Sequence, residues 1–188
     1  MKDLQICRNV LEILGAIGDD PTREGLRDTP DRVSRMYKEL FSGVGIDPVT
    51  ALSTIFEEEH DQYQSVVILR DVSFYSMCEH HLLPFFGMAQ IGYLPMGKVC
   101  GASKLVRALE IVSKRLQLQE RLTVQLAQAI HSGLKADGVA IIIEAEHLCM
   151  TMRGVTKAGS RIVTSAVRGP FQSSGMKSSE LLSMLRRV

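Results

Sequence analysis

The chain has 188 residues, of which 45% are hydrophobic, and a formal net charge of +1. This length and composition predict a globular protein with a sizeable core, and the near-neutral charge argues against nucleic acid or a membrane surface as partner. The four cysteines are too few and too scattered to indicate a disulfide framework, and the N-terminus has no long apolar run. We therefore expect neither a signal peptide nor a membrane span, and a cytoplasmic location.

The first part of the chain is predicted to be helical. Hydrophobic residues at helical spacing predict an amphipathic helix over residues 4–17. Thr29 as N-cap and Pro30 as the first helical residue predict a second helix. Arg32 and Arg35 lie three residues apart and therefore on one side of that helix.

A boundary is predicted after these helices. A short third helix is expected to begin at Pro48, and the acidic residues 57–61 are expected to form an exposed linker. The predicted organisation is an N-terminal helical region over residues 1–62 and a second domain over residues 63–188.

The second domain alternates between strand and helix patterns. Segments rich in β-branched residues predict strands over residues 65–75, 88–94, 138–145 and 161–167. Two helices separate the two hairpins, the first with Ser103 as its N-cap, and a last helix covers about residues 179–187. Strands segregated from a helical block predict an α+β fold, and the open sheet edges favour self-association.

Four consecutive residues beginning at Cys78 provide a thiol, a carboxylate and two imidazoles. The spacing of Cys78 and His81 lets both reach one ion from a tight turn, and zinc accepts thiolate and imidazole together. A zinc site needs at least one more protein ligand, and the best candidate is Cys149, which lies close to His147 in the sequence. We therefore predict a zinc site with two cysteines and one histidine.

Three protein ligands leave a fourth position for water, which is the arrangement of catalytic zinc sites. Zinc lowers the pKa of bound water to about 7, and the spare histidines His80 and His147 would flank the activated water. This set favours a hydrolytic enzyme. One alternative is that these residues are unrelated buried side chains. Another is a zinc-stabilised binding module in which Cys100 supplies a fourth ligand.

Basic residues on several predicted elements could form an anion site. Lys104 near a helix N-terminus, with Arg107 one turn later, is suited to phosphate, and Arg153 follows the Cys149 motif closely. Glu120 either forms a surface ion pair or accepts two hydrogen bonds from the edge of a guanine. A polyphosphate would be favoured if these six side chains converge: Arg32, Arg35, Lys104, Arg107, Arg121 and Arg153.

Several longer segments, in the same order, resemble GTP cyclohydrolase I. They are Asp20-Pro21-Thr22-Arg23-Glu24-Gly25-Leu26, Thr29-Pro30-Asp31-Arg32-Val33, Ser76-Met77-Cys78-Glu79-His80-His81-Leu82-Leu83-Pro84-Phe85, Gly92-Tyr93-Leu94-Pro95, Ser103-Lys104-Leu105, Gln119-Glu120-Arg121-Leu122-Thr123, and His147-Leu148-Cys149-Met150 with Arg153-Gly154-Val155. The resemblance runs from about Gly18 to Phe171 and is specific because the motifs are long and independent.

The resemblance implies a tunnelling fold, with a four-stranded antiparallel sheet, two helices on one face and an N-terminal helical extension. In this family five sheets close a β-barrel by oligomerisation, and two rings stack into a homodecamer. It also implies conversion of GTP and water to 7,8-dihydroneopterin triphosphate and formate, the first step of folate or pterin biosynthesis. Zinc would be held by Cys78, His81 and Cys149.

The resemblance further implies roles for the other site residues. Zinc would activate water for attack on C8 of guanine, while His80 and His147 move protons. Glu120 would bind the guanine edge with Gln119 close by, and Ser103 would contact the ribose. The triphosphate would be held, in part across a subunit boundary, by Lys104, Arg107, Arg121, Arg153, Arg32 and Arg35.

Three positions depart from the family pattern. Gln90 stands where some members carry histidine, residues 168–171 differ from the commoner sequence, and the C-terminal segment lacks an arginine. These departures concern subunit contacts and regulation more than chemistry. The sequence does not show the downstream pathway or feedback control. A rival interpretation is a related enzyme that uses the same fold on another purine or pterin.

Overall fold

The computed structural model describes residues 3–53, 55–57, 66–171 and 177–186. Its contacts divide the chain into two compact units, Met1–Ser42 and Gly43–Val188. The boundary predicted between residues 62 and 63 lies outside the described residues, as does most of the predicted acidic linker.

The first unit contains two helices, α1 (Asp3–Ala16) and α2 (Thr29–Leu40). The N-cap of α2 is Asp28, one residue earlier than predicted, and its side chain makes no capping hydrogen bond. Thr29 is therefore already helical. Pro30 is tolerated in this first turn because the N–H group it lacks would have no partner within the helix.

The second unit contains a five-stranded sheet with the order β5-β2-β3-β6-β7 and a separate β1-β4 pair. The four long strands pair antiparallel, and the short β5 pairs parallel to β2. The mixed α+β architecture is as predicted. The strands are β1 (Ile55–Glu57), β2 (Val67–Cys78), β3 (Pro84–Leu94), β4 (Lys98–Cys100), β5 (Leu116–Gln117), β6 (Gly138–His147) and β7 (Ile162–Arg168).

Helices cover both faces of this sheet. Helices α3 (Ala102–Ser113) and α4 (Gln119–Leu134) share one core with alternate residues of β6, such as Ile141 and Ile143. The preceding residue Ala140 faces the other side of the sheet, where it packs with Leu181 and Leu185 of α6 (Ser178–Leu185). The remaining elements are a 3₁₀ turn, Pro48–Leu52, and the four-residue α5, Leu148–Thr151.

The start of α3 differs from the prediction. Gly101 is its N-cap, and the backbone N–H of Lys104 donates to the Gly101 carbonyl over 2.8 Å. Ser103 therefore lies inside the first turn and is not the capping residue. Among the described helices, none is both long and apolar enough to cross a membrane.

Candidate active site

Three chain segments meet at one end of the sheet. Cys78 is the last residue of β2, and His147 is the last residue of β6. Phe85 in β3 pairs with His147 across the ladder. The turn between β2 and β3 is closed by hydrogen bonds from Cys78 N to Leu83 O and from Leu82 N to Cys78 O, each 2.9 Å long. This tight turn brings the histidines that follow Cys78 back toward the end of β6.

The predicted metal ligands are brought together. One ligand atom each from Cys78, His81 and Cys149 lies within 4.8 Å of the others. Cys149 reaches the group because α5 turns the chain immediately after β6 ends. Cys100 does not belong to this group, and its backbone N–H donates to the Tyr93 hydroxyl over 3.1 Å. The alternative of a closed, four-ligand zinc module through Cys100 therefore has no support from the geometry.

The donor set fits zinc. Burial raises the pKa of the Cys149 thiol, and the neighbouring Cys78 thiol raises it further. Two adjacent thiols resist ionising together, because the second negative charge would be repelled by the first. A bound cation removes this repulsion, and two thiolates with one imidazole are typical zinc ligands that leave an open position.

His147 is held from two sides. Its ring stacks on the Phe85 ring with centroids 4.5 Å apart and an interplanar angle of 3°. Its Nε2 lies 2.8 Å from Oε1 of Gln119, the first residue of α4. Burial lowers the pKa of His147, while the charge of nearby Glu120 raises it by a smaller amount.

Charged groups surround the three possible ligands. The Arg153 guanidinium lies 3.3 Å from His81 Nε2, as its closeness in sequence to Cys149 predicted. The Arg121 guanidinium binds both carboxylate oxygens of Glu79. His80 is exposed, and its ring centroid lies 6.3 Å from that of His81.

Two other predicted substrate-binding residues, Ser103 and Lys104, lie away from this group within one chain. The C-terminal residue of α3, Ser113, accepts a hydrogen bond of 2.7 Å from Ser76, two residues before Cys78. Ser103 and Lys104 lie at the opposite end of α3, and a helix rise of 1.5 Å per residue separates them from Ser113 by about 15 Å. Arg32 and Arg35 belong to α2 in the other unit.

Sequence reasoning assigned Gln119 to the substrate but did not find its contact with His147. Gln119 is 1% exposed, and its side chain bonds to residues of β6 and β7. No local sequence pattern signals this arrangement, because it depends on how α4 docks on the sheet. The nearest indication of this contact in the sequence is that a buried strand ends at His147.

Comparisons with known proteins agree with the motifs. The sequence profile of the GTP cyclohydrolase I family matches residues 6–186. A GTP cyclohydrolase 1 of Dehalococcoides mccartyi (strain CBDB1) is 54% identical over 183 residues, covering 96% of this chain and 95% of the relative. The same-named protein of Streptococcus mutans is 54% identical over 94% of this chain and 91% of its own. That of Halalkalibacterium halodurans is 52% identical over 97% and 96%.

A looser similarity connects the chain to a solved structure, the archaeosine synthase QueF-Like in the apo form. It covers 56% of this chain and 95% of that chain, with a TM-score of 0.46 and 18% identity. At that level the similarity supports no conclusion about this chain.

Proposed function

The chain belongs to the GTP cyclohydrolase I family and is an enzyme of that class, and from this premise we propose that it converts GTP and water to 7,8-dihydroneopterin triphosphate and formate at a zinc centre. The observation that carries the proposal is the grouping of Cys78, His81 and Cys149 within 4.8 Å. Two further histidines, His80 and His147, lie beside this group without belonging to it.

A zinc ion held there would act as a Lewis acid and lower the pKa of a water molecule to about 7. The protein's own residues would then carry the protons. His147, neutral because burial lowers its pKa, is suited to accept or donate a proton at the guanine ring. His80, which is exposed, is suited to a second transfer during ring opening and sugar rearrangement.

Substrate recognition is assigned to residues around this centre. Glu120 lies at the first turn of α4 and would accept hydrogen bonds from the guanine edge. Arg153 and Arg121, close to His81 and Glu79, would hold phosphate oxygens. Charge-assisted hydrogen bonds of this kind contribute about 1.5–3 kcal/mol each.

The remaining substrate contacts are assigned to a neighbouring subunit. Ser103 would bind the ribose, and Lys104 and Arg107 would bind phosphates, from the far end of α3. Arg32 and Arg35 complete the proposed triphosphate site. Their supply by another copy fits the tunnelling fold, in which five sheets close a barrel and two rings form a homodecamer. We assign the enzyme to the cytoplasm and to the entry of a folate or pterin pathway.

Zinc content separates the proposed ligands from the proposed proton carriers. We expect Cys149→Ser and His81→Ala to lose most of their zinc, because two protein ligands remain where three are required. We expect His80→Ala and His147→Ala to keep about one zinc per chain, since neither removes a ligand, yet to turn over about 10²–10⁴-fold more slowly. Elemental analysis and formate release from GTP measure both quantities for each variant.

The matched pair within this series is His80→Ala and His81→Ala, which make the same substitution at adjacent positions. Zinc loss in His80→Ala with retention in His81→Ala would show that the ligands are wrongly assigned. Consumption of GTP without formate would instead favour an enzyme of the same fold that performs another reaction on a purine.

A further inference from the structure

The side-chain amide of Gln119 is fully enclosed. Its Nε2 lies 3.0 Å from the Ile143 carbonyl oxygen, 2.9 Å from the Ile162 carbonyl oxygen and 3.1 Å from Thr164 Oγ1. Its Oε1 lies 2.8 Å from Nε2 of His147. From the first position of α4, the Gln119 side chain therefore connects the middle of β6 and the start of β7 to His147 at the end of β6.

The two carbonyl groups fix which way this amide points. A backbone carbonyl can only accept a hydrogen bond, so the nitrogen of Gln119 must face Ile143 and Ile162. The reversed amide would direct its oxygen at two other oxygens in a buried place and would leave all three without a donor, which is unfavourable. The Gln119 oxygen is consequently left to face His147.

Two hydroxyl groups are consistent with this direction. The Thr123 hydroxyl donates to the Gln119 backbone carbonyl over 2.7 Å. The Thr123 and Thr164 hydroxyl oxygens lie 2.7 Å apart, so Thr164 donates to Thr123, whose own proton is already used. Thr164 Oγ1 then remains an acceptor for the Gln119 amide. Every donor in the group has an acceptor.

An amide oxygen can only accept, so the hydrogen bond between Gln119 and His147 must carry its proton on His147 Nε2. We propose that Gln119 is a positioning residue that keeps a proton on Nε2 of His147, so that His147 exchanges protons with the substrate only through Nδ1. The inference rests on the proton-carrying role of His147 given under the proposed function. The stacked Phe85 ring holds the imidazole plane, and Gln119 selects the nitrogen that reacts.

This role differs from a guanine contact by the Gln119 side chain. The amide nitrogen has acceptors inside the protein for both of its N–H groups, and with only 1% of the residue exposed the amide oxygen is enclosed against His147 and away from a substrate. Loss of Gln119 should therefore affect turnover, which depends on His147, and not the affinity for GTP.

The direct test observes the tautomer. Solid-state ¹⁵N NMR of the zinc-loaded protein labelled with ¹⁵N-histidine distinguishes proton-bearing from bare ring nitrogens, with the His147 signals assigned by their loss in His147→Phe. We expect Nε2 to bear the proton and Nδ1 to be bare in the resting enzyme. A proton on Nδ1 with a bare Nε2 would overturn the proposal. This readout needs no turnover, so it is independent of the proposed reaction.

The second test uses kinetics. We expect Gln119→Leu to lower kcat by about 10–100-fold with little change in KM, as loss of a supporting hydrogen bond to a functional histidine typically does. In a His147→Ala background the same change should lower kcat no further, because Gln119 acts through His147. A raised KM with unchanged kcat, or a full additional loss in the double variant, would contradict the inference.

The matched control is Gln117→Leu. Gln117 is also 1% exposed and lies two residues away, and its side chain donates to the Val112 carbonyl and to Gln125. Within the described part of the chain, it makes no hydrogen bond to a histidine. The Gln117→Leu variant should lose stability as Gln119→Leu does, but it should keep the kcat and the His147 tautomer of the wild type. Wild-type turnover in His147→Ala would instead remove the proposed role of His147, while the NMR result would still decide which nitrogen bears the proton.

Discussion

Glu79 and Arg121 form a two-bond ion pair beside the possible metal ligands. The Arg121 guanidinium lowers the pKa of the Glu79 carboxyl, so the pair is charged at neutral pH. Both side chains are partly exposed, at 28% for Glu79 and 44% for Arg121, so the pair contributes little to stability. Its significance is that Arg121, assigned to the triphosphate, already has an anionic partner.

A competing partner weakens substrate binding, and this gives a prediction for Glu79→Gln. We expect KM for GTP to fall, by at most about fivefold, since an exposed pair contributes about 0.2–1 kcal/mol. Steady-state kinetics measures the change. The matched control is Glu144→Gln, which breaks the similarly exposed pair with Arg161. A higher KM in Glu79→Gln would mean that Glu79 orients Arg121 for the substrate.

The burial of His147 predicts a pH dependence of stability. Its pKa is lowered from the ordinary 6.5, so near that pH the folded state binds fewer protons than the unfolded state. The contribution of neutral His147 is therefore complete above about 6.5 and is lost as the pH falls below it. Urea unfolding with zinc chelated should show a shallower acid decline in His147→Phe than in wild type. An equal loss of stability at acid pH in the two proteins would mean that the burial of His147 does not contribute to the pH dependence.

The site residues that could be predicted from the sequence are those in dense local motifs. The grouping of Cys78, His81 and Cys149 followed from residue type and spacing, because few side chains bind soft metals. The task of Gln119 could not be predicted, since an amide becomes specific only through the carbonyls that surround it. The distance of Lys104 from the metal group also required the fold, because sequence alone does not show which helix end lies near Cys78.

At the level of elements, Gly87 allows β3 and β6 to approach closely near the active site. A Cβ built at Gly87 would lie 1.9 Å from the Glu144 carbonyl oxygen. We expect Gly87→Ala to lower the free energy of unfolding by about 1–3 kcal/mol, because the ladder must shift to admit a methyl group. Denaturant titration measures this loss.

The control for this prediction is Gly15→Ala, where a Cβ would have nothing within 4 Å. Alanine is favoured over glycine in a helix, so this variant should be as stable as wild type or slightly more stable. Similar losses in both variants would mean that the clash at Gly87 is not what destabilises the sheet.

Gln90 has a structural explanation as a departure from the family pattern. Its side chain accepts from the Asp71 backbone N–H over 2.9 Å and donates to the Asp71 carboxylate over 3.0 Å. Asp71 has a positive φ of 57° at the register shift between β2 and β3. Gln90 thus braces an irregularity that lies away from the metal-binding end of the sheet.

The long elements were predictable, and the shortest were not. Periodicity identified the four long strands and the helices to within a few residues. It missed β1, β4 and β5, because two or three residues contain no period that a pattern can reveal. β5 matters because it pairs with Cys78 immediately before Gln119 begins α4. If this segment is treated as a loop, nothing in the sequence links Cys78 at the end of β2 with Gln119 at the start of α4.

At the level of the whole molecule, the proposed phosphate contact of Lys104, together with the length of α3, predicts that one chain does not complete a site. Mixing the impaired Lys104→Ala variant with the zinc-deficient Cys149→Ser variant through denaturation and refolding should raise activity above that of either variant alone. We expect about a quarter of the wild-type specific activity. In an equal mixture that assembles at random, about a quarter of the interfaces combine an intact Lys104 from one subunit with an intact Cys149 from its neighbour. GTP turnover measures the recovery.

Two controls accompany the mixing experiment. Refolding each variant alone should restore no activity, and mixing Cys78→Ser with Cys149→Ser should also fail, because both defects lie in the same half of the site. Light scattering reports the assembly independently. A monomer with full activity would contradict the shared site.

The pairing of β6 with β3 on one side and β7 on the other also limits how the length of this chain can change over evolution. Along β6, Ile141 and Ile143 face the helices while Ala140 faces α6, so one inserted or deleted residue would exchange the two faces. The same event would separate His147 from Phe85 and Gln119 together. Natural insertions and deletions should therefore avoid Gly138–His147 and concentrate in exposed loops such as residues 154–159.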